Sequence, residues 1–117
     1  MVGPSGARRI PERDWKVYRD LHRTLVERYC RRVLDEVESL IGAESQSAHD
    51  RYGRLYGLIR DRDKEIARVF DGMRRSAALF QIEACRELGL LTDEEMSRFS
   101  DETQELIARW LEFRRSE

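Results

Sequence analysis

Residues 52–88 read YGRLYGLIRDRDKEIARVFDGMRRSAALFQIEACREL, and how this stretch is divided decides the fold. Steps of three and four pick out Tyr52, Leu55, Ile59, Asp63, Ile66, Phe70, Met73, Ala77, Phe80, Ala84 and Leu88, one face of an α-helix. Asp71-Gly72 inside it is a turn signal. The stripe nevertheless keeps its phase across that dipeptide, and a turn usually resets phase. The expectation is therefore one continuous helix from about 47 to 88, closed by Gly89. The alternative is a reversal at Gly72. A continuous helix keeps Cys30 and Cys85 far apart; a reversal brings them towards one level.

One member of the stripe is out of character. Asp63 is a carboxylate where an apolar residue is due, and a buried charge is costly unless paired. It is expected to be solvated at a seam, hydrogen-bonded across the core, or part of a site. Matching helix levels places it near Tyr29 and His22. A small-ligand site of Asp63, Tyr29 and His22 is the sharp reading, and a structural polar pair or a carboxylate leaning out to Arg60, Arg62 or Lys64 is the bland one. Gly53 and Gly57 lie on the same helix. Each costs about 1 kcal/mol against alanine in water, a cost that close approach of a neighbouring helix would offset.

Working outward, Pro11 suits a helix start, and Glu12 and Asp14 suit the positive end of its dipole. No Gly or Pro follows before Gly42, so one helix of roughly 30 residues, ~46 Å long, is expected. Its stripe is Tyr18, Leu21, Leu25, Tyr29, Val33, Val37 and Leu40. A second row, Val26, Cys30, Leu34 and Ile41, widens the apolar face enough to touch two neighbours. Ser45 or Ser47 is the candidate cap of the next helix. Thr92 and Glu95 fit a capping box, and Ser100 can re-cap within the last stripe of Met96, Phe99, Thr103, Leu106, Trp110 and Phe113. Residues 1–10 read as a flexible tail and 11–117 as a single helical domain. The fold class is all-α: an antiparallel bundle of three long helices, four if the chain turns at Gly72, completed or extended by dimerisation. The acidic run 93–105 is expected beside the basic run 8–16, and the acidic stretch 35–44 beside Arg51 and Arg54.

Composition excludes several functions. The chain has 117 residues, a net charge of −1 and 22 basic residues, so no overall basic field points to nucleic acid. No apolar run approaches the ~20 residues of a membrane span, and the start has no apolar segment typical of a secretory signal. A soluble, cytoplasmic protein is the expectation. The two cysteines make no zinc pattern and are read as free buried thiols. His22 and His49 lack the Glu-x-x-His spacing of a di-iron bundle. No metal or cofactor is expected. Cys30 and His22 stand ~12 Å apart along one helix, too far to act together. Catalytic and nucleotide-binding motifs are missing, so no enzyme is expected. A helix–turn–helix over 88–110 fails because its second helix opens acidic.

The remaining reading is association, with itself as a homodimer or with a protein partner. Trp15, Tyr56, Trp110 and Phe113 are numerous large aromatics for a thin bundle, and with Arg13, Arg19 and Arg23 they form the candidate partner surface. The bland alternatives are an ordinary core and a solvated arginine face. Nucleic-acid association through the Arg-rich N-terminal stretch and ligand binding around Asp63 are the rivals.

Overall fold

The computed structural model describes residues 10–116, of which 79% are helical, with five helices and no strand among them. The helices are α1 (Glu12–Ile41), α2 (Ala48–Phe70), α3 (Arg75–Glu87), the single turn α4 (Asp93–Met96) and α5 (Asp101–Arg115). The expected helix starts hold. Ser47 accepts from Asp50 N–H, Thr92 and Glu95 form the reciprocal capping box, and Ser100 accepts from Thr103 N–H. Pro11 stands one residue before α1 as its cap.

The continuous helix over 47–88 does not form. The chain leaves the helix after Phe70, and Gly72 adopts φ +66°, a left-handed conformation that glycine enters at little cost. Met73 and Phe80, the large members of the stripe beyond Phe70, are exposed. The buried row of α3 is instead Ala78, Leu79, Ile82 and Cys85. The in-phase continuation was a coincidence of spacing, and the Asp-Gly turn signal was the true boundary. Both cysteines are free; Cys85 is buried and Cys30 only half-buried.

Side-chain bonds fix the topology. Along the α1–α2 hairpin, Tyr29 meets Glu65, Glu36 meets Arg62, and Arg51 meets the Ile41 carbonyl. α2 therefore runs antiparallel to α1. Arg75 bonds the Ile10 carbonyl, Tyr18 bonds Gln81, and Arg28 and Arg32 hold the carbonyls of Leu88 to Leu90. α3 therefore runs back alongside the first five turns of α1. It ends in a Schellman motif: Leu90 N–H bonds Cys85 O, Gly89 N–H bonds Arg86 O, and Gly89 has φ +76°. α5 then begins beside Asp14 and ends beside Glu83 and Glu87.

Most of α3 is enclosed, with seven buried residues in thirteen. The core around it draws on Tyr18, Leu21, Leu25, Val69, Ile82, Leu90, Phe99 and Ile107. Ile10, assigned from sequence to the tail, belongs to this core; its apolar side chain gains more by burial than an exposed tail would give it. Residues 1–9 of that tail lie outside the described residues. The molecule is elongated, 58 × 27 × 26 Å, because the end of α1 and the start of α2 project beyond the core.

Candidate functional site

Four polar groupings and one apolar surface compete for the role of site. The first is Asp14, which has no exposure. Its Oδ1 accepts from Ser100 N–H at 2.7 Å, and its Oδ2 accepts from Ser100 Oγ and Thr103 Oγ1, both at 2.6 Å. A buried carboxylate is tolerated when such charge-assisted bonds replace its water. It also sits at the positive end of α5. Asp14 is a tertiary cap whose acceptors are occupied.

The second grouping is Glu83, also without exposure. Arg114 lies 3.2 Å from each of its oxygens, and Glu87 shares the guanidinium. The contact at Oε2 is a charge contact without hydrogen-bond alignment. Burial pushes the Glu83 carboxyl above its usual range, against the pull of Arg114. Open clefts of about 360 Å³ adjoin this end of α5, lined by Arg86, Leu111 and Arg115 among others. Arg86 is already bonded to Leu91 O and Asp93.

The third is Tyr18, whose hydroxyl donates to Gln81 Oε1 at 2.8 Å while Gln81 Nε2 donates to Asp71 O at 2.9 Å. This chain of bonds fastens the Asp71-Gly72 turn to α1. Burial raises the Tyr18 hydroxyl well above the usual phenol range. The fourth is the Arg28–Glu95 clamp, with two bonds of 2.7 Å and a third to Leu90 O. The Arg28 bonds hold the Glu95 carboxyl down at about 2 despite its partial burial.

The sequence-derived trio of Asp63, Tyr29 and His22 does not assemble. Asp63 is exposed. Tyr29 Oη donates instead to Glu65 Oε1 at 2.6 Å, and His22 Nε2 lies 3.3 Å from the Phe70 carbonyl. Glu65 stands two residues from Asp63, which on a helix is the opposite side. Burial, reinforced by Glu65, raises the Tyr29 hydroxyl, and Arg62 is raised by its bonds to Glu36. The Cys85 thiol is pushed up to about 12 by burial, which keeps it protonated and unreactive. Among the described residues no three His, Cys, Asp or Glu side chains cluster as a metal site, and no helix is long and apolar enough to cross a membrane.

The proposed partner residues fall on three elements. Trp15 is half-buried with Arg19 over its ring at 5.5 Å, Arg13 donates to the Arg98 carbonyl, and Arg23 is exposed, all on α1. Trp110 is half-buried and Phe113 exposed on α5, while Tyr56 stands exposed on α2. The segment after Asp93 lies beside the start of α1, but the expected matching of its acids to the bases of 8–16 is not made among the described residues: Arg13 bonds the Arg98 carbonyl, and at Asp14 and the Asp20–Arg98 pair the acid is on α1. The stretch 35–44 meets α2 through Glu36–Arg62 and the Ile41 carbonyl. Arg54 takes no part in an ion pair among the described residues.

Five of the eight exposed large hydrophobics among the described residues stand on the projecting arm, formed by residues 34–41 of α1 and 48–65 of α2. No residue from 34 to 68 is buried. Leu34, Ile41, Tyr52, Tyr56 and Ile59 are exposed large hydrophobics, Tyr52 at 72% and Tyr56 at 65%. At about 100° per residue, Leu34 and Ile41 point to the same side of the hairpin as Tyr52 and Ile59. Ile41 and Tyr52 also share a shallow hollow with Ala48, Arg51 and Leu55. This side is turned away from α3. Half-buried Val26, Cys30 and Ile66 continue it towards the core. Sequence reasoning found the row on α1 and its need for a second neighbour, but not that the neighbour is missing. In comparisons with protein-family models, with curated proteins and with solved structures, nothing matches this chain.

Proposed function

We propose that this chain acts by association rather than catalysis, and that the arm is its docking element. The observation that carries this reading is the contrast in satisfaction. Around α3 each buried carboxylate and hydroxyl has a partner, and most of the large apolar residues are enclosed, Phe80 and Phe113 excepted. On the arm five large hydrophobics line one side of a two-helix hairpin. A hairpin of two helices cannot bury such a face alone, and contiguous exposed apolar surface marks a protein interaction site. The polar groupings support it by their occupancy: each holds one part of the fold to another. The nucleic-acid reading is the weaker one, since Arg13 is engaged by Arg98 O and Arg19 by Trp15.

The test replaces Tyr52, Tyr56 and Ile59 with serine. These exposed positions leave helicity by circular dichroism unchanged. Association, followed as mass against concentration and as capture of proteins from the native host, should be lost with the triple change. Wild-type protein that neither self-associates nor captures any partner in an arm-dependent way would refute the reading.

A further inference from the structure

We infer that the occupant of the arm is the arm of a second copy of this chain, packed face to face about a two-fold axis parallel to the hairpin, so that α1 of each copy lies against α2 of the other. This rests on the reading of the arm as the docking element, and it names the partner. The exposed hydrophobics Leu34, Ile41, Tyr52, Tyr56 and Ile59 all belong to the distal half. These side chains meet a matching apolar row when two distal halves overlap. Two hairpins joined in this way give a four-helix bundle, the smallest arrangement in which each helix has two neighbours across a closed core.

Charge then chooses between the two ways of overlapping them. Residues 34–44 of α1 and its loop carry Asp35, Glu36, Glu38 and Glu44 and no base. If the arms point at each other, α1 lies on α1 and Glu38, the acid of this stretch nearest the row of Leu34 and Ile41, faces its own copy, while Glu36 stays on the far side with Arg62 of its own chain. If the arms point the same way, α1 lies on the partner's α2, where Arg60 flanks the row of Tyr52 and Ile59 and can meet Glu38. Self-complementary surfaces avoid the like-charge juxtaposition that the first packing creates.

The level of each pair can be read from the hairpin itself. Tyr29 meets Glu65 and Glu36 meets Arg62 within one chain. A two-fold axis along the arm preserves those levels between copies. Arg31 then falls beside Asp63 of the other copy, and Glu38 within a turn of Arg60. Arg31 and Asp63 are both exposed, and neither makes an ion pair among the described residues. The lone carboxylate of the apolar stripe thereby gains a role: it sets the register of an interface whose other members are apolar.

Three measurements test this in one series, each on the whole chain. Light scattering should give the mass of a dimer as concentration rises, with the Tyr52, Tyr56 and Ile59 triple serine variant remaining monomeric. Asp63→Arg and Arg31→Asp should each weaken dimerisation about tenfold, and the double variant should restore it, since each reversed charge again meets its opposite. Finally, in a Cys30→Ser background, a mixture of Leu34→Cys and Ile59→Cys chains should form a disulfide between copies under mild oxidation, whereas each variant alone should not. A dimer without the charge rescue and without this crosslink overturns the arrangement. A monomer at every concentration overturns the second copy as occupant; arm-dependent capture of a different protein would then leave the docking reading standing, and its loss would remove both.

Discussion

The two halves of the α1–α2 hairpin are built from similar sequence and have opposite fates. From Asp14 to Val33 the stripe of α1 is enclosed by α2, α3 and α5, and Tyr18, Leu21, Leu25 and Tyr29 are buried. From Leu34 onward the same helix continues with the same periodicity, and nothing is buried until Val69. Periodicity reports which face of a helix is apolar; it does not report whether anything covers that face. Coverage is set by where the chain turns back. Because Gly72 ends α2 and α3 is only thirteen residues long, α3 covers the proximal turns of α1 and leaves the distal turns as an arm.

The sharpest way to break this comparison is to exchange the fates of two carboxylates. Asp14 is enclosed and bonded three times, and Asp63 lies open on the arm. Asp14→Ala strands the donors of Ser100 and Thr103 in the core and should cost about 3–5 kcal/mol, a large share of the stability of a domain this size. Asp63→Ala should change the stability of the monomer by less than about 0.5 kcal/mol, as exposed substitutions do. Urea unfolding at low concentration measures both. Equal effects at the two positions would erase the distinction between arm and core.

The same pair shows what the sequence made legible. α1, the caps at Ser47, Thr92 and Ser100, and the stop at Gly89 were all readable, because each depends on residues within four positions of one another. Asp63 was singled out for standing in an apolar row. Asp14 stands in an equivalent row, four residues before Tyr18 and seven before Leu21, and the same rule extended one turn backward would have flagged it. It read instead as a partner of its own helix dipole, because its real partners are 86 and 89 residues away. Glu83, Tyr18 with Gln81, and Tyr29 with Glu65 share that difficulty. Their pairing is tertiary, and a single chain of letters holds no local trace of it.

Acid should act on the core side of the comparison next most strongly. Glu95 has its carboxyl lowered from 4.5 to about 2, chiefly by its bonds to Arg28. A lowered carboxyl contributes stability that is fully present above its unfolded value and is lost as pH falls through its folded one. The contribution should therefore fade between about pH 4.5 and pH 2, and after allowance for its partial exposure is worth roughly 2–3 kcal/mol. Glu83 acts in the opposite sense: its raised carboxyl favours the folded state as pH falls through that raised value. Comparing wild type with Glu95→Gln isolates the clamp. Their stability difference should be constant near neutrality and vanish by about pH 2, and a difference that persists there would show that Arg28 holds Leu90 O rather than Glu95 as its main partner.

A smaller effect concerns local opening. Amide exchange should be most protected in α3 and the facing turns of α1, and fastest in residues 48–60 of the monomer, because local stability follows enclosed apolar contact. Raising the protein concentration should slow exchange in the arm alone if a second arm covers it. Uniform protection along α2 at low concentration would mean that the hairpin is stable without cover.

The smallest expected effect separates the faces of the arm from one another. A Cβ placed on Gly53 or Gly57 would meet nothing within 4 Å. The close approach of a neighbouring helix, which the sequence suggested as the reason for these glycines, is not made within one chain. Both lie about 100° or more around α2 from Tyr52, on the side directed away from α1. Alanine has the better helix propensity and narrows the unfolded ensemble, so Gly53→Ala and Gly57→Ala should each stabilise the monomer by about 0.5–1 kcal/mol. If the interface lies on the face of Leu34, Tyr52 and Ile59, both changes should leave the mass at high concentration unaltered. If instead a methyl group at Gly57 abolishes association while stabilising the monomer, the partner approaches the glycine face. The side of the arm that docks would then be the outer one, where the absence of a side chain is itself the feature being recognised.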